Sequence, residues 1–351
     1  MNVRIILLLI LALTSCISKN SKVEVIKEFP KELSPEVVEI KVAPVLYSVD
    51  NMAMLDSALM LIDMKSDTIL RFFESSSLKY LAASTLRGRG PNEEQDIQPF
   101  INVLENDWFL YRNLTSIKIA KFDYAGLFVD IIREIKLPGE LLNFQHTLMI
   151  NDSLLIGWSL DQNSKYEFIS YNLKTRKTNP FGPLYPNIAD IPETQRTLIF
   201  SKAVTLKSDK TKFAAVYDKF QLLRIYLNTG ELDKEVRFSD KLNFPKELVF
   251  GDISHVDLNK VYVHYQRIQS TNNFIYALYS GKSVASMSNS NSQPTNLCSE
   301  IHVWNWEGTP IAKIILKRGC YSFAVSADDS YIVCSDIESI DTLYRYNISF
   351  D

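Results

Sequence analysis

The densest group of reactive side chains in this sequence is a short run that contains two arginines, two glycines, a proline and two glutamates. Its charged members, which we take as candidate ligand-binding residues, are Arg87, Arg89, Glu93 and Glu94. Because a guanidinium presents forked N–H donors, such arginines suit a carboxylate or a sulfate at the mouth of a binding site. Alternatively, the four charges pair with one another and hold a connection between neighbouring elements. The sequence alone leaves both interpretations open.

The glycines and the proline of this run determine its backbone. Gly88 and Gly90 permit backbone angles that are closed to other residues, and Pro91 fixes φ and ends strand pairing. We therefore expect a sharp connection here, from the outer strand of one sheet to the inner strand of the next.

A second crowded group of polar and aromatic residues runs from Tyr262 to Arg267. Within it, His264 and Arg267 are further candidates for ligand contact. The chain has four histidines, namely His146, His255, His264 and His302. They show neither an HxH nor an HExxH spacing, so no metal site is predicted, and each is expected to lie on a strand as a partly buried polar residue.

Catalysis has less support than binding. The sequence has no Gly-x-Ser-x-Gly elbow, so a serine hydrolase of that kind lacks its nucleophile, and no catalytic residue is predicted. A calcium-dependent hydrolase of the lactonase or esterase type remains as the alternative, with calcium held by acids inside a channel. Asp252, Asp257 and Asp328 fall near predicted strand ends, although no spacing singles them out. No cofactor is predicted outside that alternative.

The N-terminal residues have the pattern of an export signal. Arg4 precedes an apolar run from Ile5 to Leu13, far shorter than the ~20 residues that span a bilayer as a helix. The following Leu-Thr-Ser-Cys resembles the lipobox of bacterial lipoproteins, which implies that Cys16 carries a diacylglyceryl group and begins the mature chain. An ordinary cleaved signal with an incidental cysteine is the alternative. We expect a signal peptide over 1–15 and a polar, lipid-anchored tether over 16–35.

The remaining cysteines are Cys298, Cys320 and Cys334, an odd number in a compartment where disulfides can form. If the last two lie on one hairpin that turns at 328–330, the register places Cys334 nearer to Phe323 than to Cys320. We therefore expect no disulfide. The absence of a CxxC spacing gives a metal or redox role no support.

The charge balance of the chain argues against one class of partner. Lys and Arg together number 38 against 41 Asp and Glu, and no block of like charge stands out. Nucleic acids require a basic surface excess, so we expect no nucleic-acid partner. Hydrophobic residues make up 46% of the chain, with 19 Phe and 17 Tyr, which suits strands that bury one face and pair aromatic side chains across the other.

Short segments with alternating polarity follow one another from about residue 37 onward. Examples are 58–63, 108–111, 153–158, 212–217 and 260–265. Each is rich in β-branched or aromatic residues and is bounded by turn-forming residues, as β-strands are. No stretch of the mature chain has a sustained helical period, so the sequence predicts an all-β fold.

An aromatic residue followed by a polar turn recurs along the chain. In three copies, 122–126, 226–230 and 304–308, the aromatic residue precedes a glycine by four positions, and that glycine can supply a positive φ. Weaker copies begin at Phe72, Tyr171 and Tyr346. The six anchors are 50, 49, 55, 78 and 42 residues apart, and a Ser/Asn-rich insertion over 281–296 explains the long gap. This period predicts a six-bladed β-propeller with four-stranded antiparallel blades.

Counting strands predicts how the ring closes. The last unit offers three strands, 321–325, 331–334 and 343–348, where a blade needs four. The fourth is expected from Val37–Val42, as the outer strand of the last blade. The propeller domain is thus predicted over 36–351. The insertion and a Pro-rich connection over 180–186 should join the glycine-rich run on the face around the channel mouth.

Two segments resemble one family. A Gly-x-Gly-Pro-x-Glu run after a lipobox, inside a six-unit β-repeat, is similar to the TolB-like six-bladed propeller lipoproteins of Gram-negative bacteria. The late pattern of 276–281, an insertion and then 301–310 also resembles the penultimate blade of that family. The family is largely uncharacterised, so the resemblance implies a fold and a location in the cell envelope rather than an activity.

From these observations we expect a binding or scaffold protein that presents its loop-rich channel face to an envelope protein, a peptide or a glycan. The lipid at Cys16 would hold it at the membrane. The residues just after that cysteine, 17–22, lack the acidic cluster that resembles a surface-export signal. We therefore expect the outer membrane, with the domain facing the periplasm.

Overall fold

A computed structural model describes residues 22–90, 93–105, 107–159, 165–186, 188, 191–242, 244, 256–288 and 297–350. Across these described residues the strands form six sheets, which are the blades of a ring. Five blades contain four consecutive antiparallel strands, and the sixth combines three consecutive strands with one from the N-terminal segment. The innermost strands of neighbouring blades face one another around a channel. The predicted all-β, six-bladed propeller is confirmed.

The N-terminal segment supplies three short strands before the first blade begins. These strands are β1 Val23–Val25, β2 Glu32–Leu33 and β3 Val37–Lys41.

The first three blades follow in order, each from its innermost to its outermost strand. Blade 1 contains β4 Val49–Met54, β5 Ala58–Asp63, β6 Thr68–Glu74 and β7 Tyr80–Leu86; blade 2 contains β8 Asn102–Glu105, β9 Trp108–Arg112, β10 Ser116–Asp123 and β11 Phe128–Lys136; blade 3 contains β12 Phe144–Asn151, β13 Leu154–Ser159, β14 Tyr166–Asn172 and β15 Lys177–Leu184.

The second half of the ring repeats this order. Blade 4 contains β16 Lys202–Leu206, β17 Lys212–Tyr217, β18 Leu222–Leu227 and β19 Leu232–Arg237; blade 5 contains β20 Tyr262–Ser270, β21 Phe274–Ser283, β22 Cys298–Asn305 and β23 Pro310–Cys320; blade 6 contains β24 Ser322–Val325, β25 Tyr331–Ser335, β26 Thr342–Asn347 and β3.

All six sequence anchors occupy the same place in their blades. They lie on the third strands, and each is buried with at most 5% exposure: Phe72, Phe122, Tyr171, Tyr226, Trp304 and Tyr346. There they fill the apolar layers between neighbouring blades, and the rings of Phe72 and Phe122 stack 4.2 Å apart between blades 1 and 2. Burial of such a ring is worth about 1.5–3 kcal/mol, which explains why this position recurs in every blade.

Closure of the ring agrees with the strand count. β3 pairs antiparallel with β26, with Val37 opposite Tyr346 and Lys41 opposite Thr342. The preceding residues, however, are not a free tether. β1 pairs parallel with β19 and β2 pairs parallel with β23, so the N-terminal segment covers the outer edges of blades 4 and 5 as well. The boundary expected near residue 36 therefore moves back to residue 22, because backbone pairing holds the intervening residues on the propeller.

Side chains of Asn and Asp form many of the hairpin turns. Asp123 Oδ1 accepts the backbone N–H of Ala125 and Gly126, and Asn172 and Asn305 make the same kind of turn. Gly230 and Gly308 have φ values of +90° and +85°, as expected. Gly126, the third such glycine, has no positive φ. In this turn, which Asp123 forms, the positive φ occurs one residue later, at Leu127.

The loops and connections of the structure differ in detail from those that the sequence predicts. Residues 180–184 are not a connection, because they form the end of β15, an outermost strand whose unpaired edge tolerates proline. The described residues contain two short α-helices, α1 Glu193–Ile199 and α2 Val284–Ser288, and two 3₁₀ turns at Gly139–Leu141 and Leu258–Lys260. The second helix begins the insertion, and the rest of that insertion, 289–296, lies outside the described residues. No helix in the described part of the chain is long and apolar enough to cross a membrane.

Candidate functional site

The two faces of the ring differ because each blade has four strands. Connections between blades, and the loops between second and third strands, lie on one side, which we call the crossover face. The two hairpin turns of each blade lie on the other side, which we call the turn face. The long irregular segments therefore gather on the crossover face.

Side chains from the innermost strands cross the channel and bind the strand edges opposite. Arg267 Nη2 on β20 donates to the carbonyl oxygen of Asp50 on β4 at 3.1 Å, and Gln269 Nε2 donates to that of Met52 at 2.8 Å. Asn102 Oδ1 accepts the backbone N–H of Met149 from the next blade. These bonds satisfy strand edges that have no neighbouring strand.

Two adjacent cavities lie along the axis of the ring. A mouth of about 320 Å³ opens toward the crossover face, and an inner chamber of about 220 Å³ continues toward the turn face. His146, Ala203 and Arg267 line both cavities. The sequence candidate Arg267 thus lies where the two cavities meet.

The guanidinium of Arg267 is only partly engaged. Besides the bond to the Asp50 carbonyl, it lies over the ring of Tyr321, with Cζ 5.4 Å from the centroid. Its Nε is buried and has no hydrogen-bond partner among the described residues. No carboxylate of those residues forms a salt bridge with it. Buried N–H donors in folded proteins normally have a hydrogen-bond partner, so an unpartnered Nε at the mouth is unusual.

His146 stands beside Arg267 and is neutral. Burial, together with the positive charges of Arg267 and Lys202, lowers the pKa of His146 to about 3. Its ring packs against Phe100, with centroids 4.9 Å apart, and its backbone φ is +47°. The Nδ1 atom is buried and has no partner in the described part of the chain. His146 Nδ1 is thus, after Arg267 Nε, the second nitrogen at the mouth that has no hydrogen-bond partner among the described residues.

Lys202 on β16 also lines the mouth and carries a buried ammonium group inside an aromatic cage. Its Nζ lies 4.7 Å from the ring centroid of Tyr185 and 5.0 Å from that of Phe168, and Trp158 and Tyr217 complete the cage at 5.6 Å. Cation–π contacts replace part of the lost hydration. Burial nevertheless lowers the pKa of Lys202 to about 8.

A buried carboxylate balances this charge. Glu167 accepts hydrogen bonds from the hydroxyls of Tyr217 at 2.5 Å and Tyr226 at 2.6 Å, and from Arg224 Nη1 at 2.9 Å. Burial alone would raise its pKa, but Arg224 and Lys202 hold the pKa of Glu167 below the usual value. This network ties blade 3 to blade 4 and keeps Glu167 out of the channel.

His264 does not join Arg267. Its ring packs near Tyr262 and Tyr279 at the junction of blades 4 and 5, while its backbone N–H donates to the carbonyl of Asp218. Burial, with the nearby His302 and Lys219, lowers the pKa of His264 to about 4. It lies on the same strand as Arg267 but faces a neighbouring blade.

The glycine-rich run is a compact crossover from blade 1 to blade 2. Arg87 is exposed and its Nε donates to the carbonyl of Ser66 at 3.2 Å, and Arg89 is also exposed. Glu93 folds back so that its Oε2 accepts the N–H of Gly90 at 2.7 Å. None of these residues lines either channel cavity.

Glu94 anchors this crossover from within. It is 3% exposed, forms an ion pair with Lys118 on β10 and accepts a hydrogen bond from Asn113. The glycines serve this packing rather than unusual backbone angles, since neither has a positive φ. A Cβ on Gly88 would lie 1.9 Å from Glu93 Oε2, so close approach explains the glycine. Pro91 lies outside the described residues.

The remaining cysteine, aspartate and histidine candidates form no metal-binding cluster among the described residues. Cys298, Cys320 and Cys334 are buried thiols between blades 5 and 6, and Cys334 pairs with Phe323 as expected. Among the described residues no group of three or more His, Cys, Asp or Glu side chains could hold a metal ion. Asp252 and His255 lie outside those residues. His302 is buried, with its ring stacked 4.4 Å from that of Tyr279.

One surface feature escaped the sequence patterns. Of the twenty exposed large apolar side chains in the described part of the chain, eleven lie on the crossover face: Val45, Tyr47, Leu86, Leu114, Leu142, Tyr166, Leu184, Leu198, Tyr262, Ile337 and Ile340. Only four lie on the turn face: Tyr80, Tyr124, Leu127 and Phe128. Since they come from loops of five different blades, no sequence window brings the eleven together.

The ring, its closure and the crossover geometry can be compared with known proteins. The TolB-like 6-blade propeller-like family matches residues 28–328, most of the chain. The chain belongs to this family. None of the curated proteins matches the TolB-like chain described here.

Two solved structures show the same fold for this TolB-like propeller. A member of the DUF4221 family from Bacteroides vulgatus is 12% identical, with a TM-score of 0.59 over 90% of this chain and 97% of that one. A protein from Bacteroides fragilis, provisionally named an exported protein, is also 12% identical, with a TM-score of 0.59 over 91% of this chain and 99% of that one. At such identities the likeness concerns the fold alone.

Proposed function

We propose that this TolB-like propeller is a lipid-anchored binding or scaffold protein of the cell envelope that engages a protein or peptide partner through its crossover face. The observation that carries the proposal is the concentration of exposed apolar side chains on that face, where eleven of the twenty in the described part of the chain lie. Monomeric soluble proteins rarely expose large apolar patches, and those they do expose often mark interaction sites.

The start of the described chain supports this orientation. The carbonyl of Lys22 accepts the backbone N–H of Glu235, and Lys22 Nζ pairs with Glu231 at 2.7 Å, beside the turn between β18 and β19. The chain therefore enters the propeller at the turn face. Six Cα–Cα steps lead from Cys16 to Lys22, and they span at most ~22 Å. A lipid on Cys16 would hold the turn face toward the membrane and leave the crossover face for a partner.

Export is supported by the signal-like N-terminus and by the provisional name of the Bacteroides fragilis protein. The proposed anchor predicts that a Cys16→Ser variant moves from the membrane fraction to the soluble envelope fraction. A variant that stays in the membrane fraction would contradict the lipid anchor without affecting the proposed binding face.

The binding face is tested by placing charge among the exposed apolar side chains of the crossover face. Leu86 and Leu198 are 56% and 57% exposed on the crossover face, and Leu127 is 43% exposed on the turn face. After chemical crosslinking in intact cells, the Leu86→Glu, Leu198→Glu double variant should lose at least about ten-fold of the partner species that the wild type captures, since a buried unpaired carboxylate is costly. Leu127→Glu is the control and should retain it.

Equal capture by the double variant and the wild type would contradict the proposal, provided that both unfold at the same temperature. No observation in the described residues favours the calcium-dependent hydrolase, so we do not propose it as a second function.

A further inference from the structure

We infer that the channel mouth is a binding site for a small organic carboxylate, such as the C-terminus or an acidic side chain of a peptide, with Arg267 as its primary ligand. This extends the proposed binding role from the surface of the crossover face into the channel. It rests on four observations of the described residues.

The first observation is the unsatisfied edge of Arg267. One N–H of its guanidinium binds a backbone carbonyl, which fixes the plane of the group, while Nε is buried without a partner. The ring of Tyr321 stacks against that plane and holds it further. The Arg267 side chain lines the mouth, and a fixed guanidinium with N–H groups that bind no described residue matches the two oxygens of a carboxylate.

The second observation is that His146 lies beside Arg267. His146 lines the same mouth, and its buried Nδ1 also lacks a partner. Being neutral, the ring can donate one N–H to an anion without an added charge to bury. The two unsatisfied nitrogens come from different blades, β20 and β12, yet both line the 320 Å³ mouth.

The third observation is the local charge. Arg267 has no salt-bridge partner among the described residues, and Lys202, whose ammonium lies in its aromatic cage, also lines the mouth. Asp218, the acid that lines the mouth, pairs through Oδ2 with Lys219 at 2.9 Å, while its Oδ1 has no partner among the described residues. The carboxyl of Asp50 lies near enough for its charge to interact with that of Arg267, but the two form no ion pair. Two cations thus line the mouth against one acid that is paired with a lysine, so an incoming carboxylate would meet a net positive charge.

The fourth observation is access and size. The mouth opens toward the crossover face, and its volume falls at the lower end of the range of small-molecule pockets, about 300–1,000 Å³. A single blocked amino acid fits this space, whereas a folded domain does not.

The experiment measures binding of N-acetylalanine and of its uncharged amide to the full-length protein by calorimetry. The acid should bind saturably and the amide should not. Arg267→Gln should weaken binding about 10-fold to 100-fold, because a hydrogen bond to a charged group contributes about 1.5–3 kcal/mol. Arg267→Lys keeps the charge without the fork and should give an intermediate loss.

Arg345 offers a matched control. It also lies over a tyrosine, Tyr331 at 3.9 Å, and also donates to a backbone carbonyl, that of Ser76 on the turn face. Arg345→Gln should leave binding of the acid unchanged. The inference is overturned if the acid does not bind the wild type, if acid and amide bind equally, or if Arg267→Gln binds as the wild type does.

A measurement on the wild type covers the case in which Arg267→Gln fails to fold. Phenylglyoxal modifies accessible arginines, and N-acetylalanine, but not its amide, should protect Arg267 while Arg345 reacts at an unchanged rate. Equal modification of Arg267 with and without the acid would overturn the inference. Because N-acetylalanine is a small molecule, its protection of Arg267 does not depend on whether the exposed apolar side chains of the crossover face capture a partner.

Discussion

Replacement of Lys202 by Met tests whether this buried ammonium destabilises the folded propeller at neutral pH. Burial lowers the pKa of Lys202 from 10.5 to about 8, which corresponds to about 3 kcal/mol against the charged form. Between these two values the unfolded chain binds a proton that the folded chain has released. The free energy of unfolding should therefore rise with pH in that window, by about 2 kcal/mol between pH 7 and pH 9.5.

Met fills a similar volume without a charge, and Arg224 remains to pair with Glu167. Lys202→Met should thus be more stable than the wild type at pH 7 by about 1–3 kcal/mol, and this advantage should shrink to below about 1 kcal/mol at pH 9.5. Urea unfolding followed by circular dichroism at both pH values measures it.

The comparison between variants matters because other groups titrate in the same range. Burial raises the pKa of Cys298 to about 12, so the folded thiol stays protonated where an unfolded one ionises, and stability falls as pH rises. This contribution is common to both proteins and cancels in their difference. Lys317→Met, at an exposed lysine, is the control for loss of a surface charge.

The reasoning would be refuted if Lys202→Met were less stable than the wild type at pH 7, since the loss of a favourable buried pair would lower its stability by about 3–5 kcal/mol. It would also be refuted if the difference between the two proteins were the same at pH 7 and pH 9.5.

Three further perturbations follow from the structure. His146 should remain neutral, so its NMR ring signals should not titrate between pH 5 and pH 8, and a measured pKa above 5 would contradict its buried, cationic surroundings. Glu94→Gln leaves Lys118 buried without its partner and should lower the free energy of unfolding by about 3–5 kcal/mol, against less than about 1 kcal/mol for Glu93→Gln; equal costs in urea unfolding would be inconsistent with the ion pair. Gly230→Ala places a Cβ 2.9 Å from Phe181 at a φ of +90° and should cost at least about 1 kcal/mol, whereas Gly139→Ala, with open space around it, should cost little; a Gly230→Ala protein as stable as the wild type would count against the turn.

The sequence carried enough information to define the ring because its signal repeats. A buried aromatic residue at the end of each third strand, from Phe72 to Tyr346, gives six chances to detect one period, and the strand deficit in the last unit indicates how the ring closes. β1 and β2 could not be found this way. They have three and two residues, pair parallel at an outer edge and lack an alternating pattern.

The binding features were harder to predict, for a physical reason. Arg267 drew attention through its polar and aromatic neighbours, but its unsatisfied Nε results from blade packing. The charges of the glycine-rich run drew more attention, yet Glu94 is buried in an ion pair and Glu93 closes its own loop. Side-chain type indicates what a residue can bind, while its partners in the fold decide whether it is available.

The most direct test of the proposed binding face is site-specific photo-crosslinking in intact cells. A photoreactive amino acid at Leu198, on the crossover face, should yield one discrete crosslinked species, while the same amino acid at Leu127, on the turn face, should yield none at comparable expression. Crosslinks from Leu127 but not from Leu198, or equal crosslinking from both positions, would contradict the proposal that the crossover face is the binding surface.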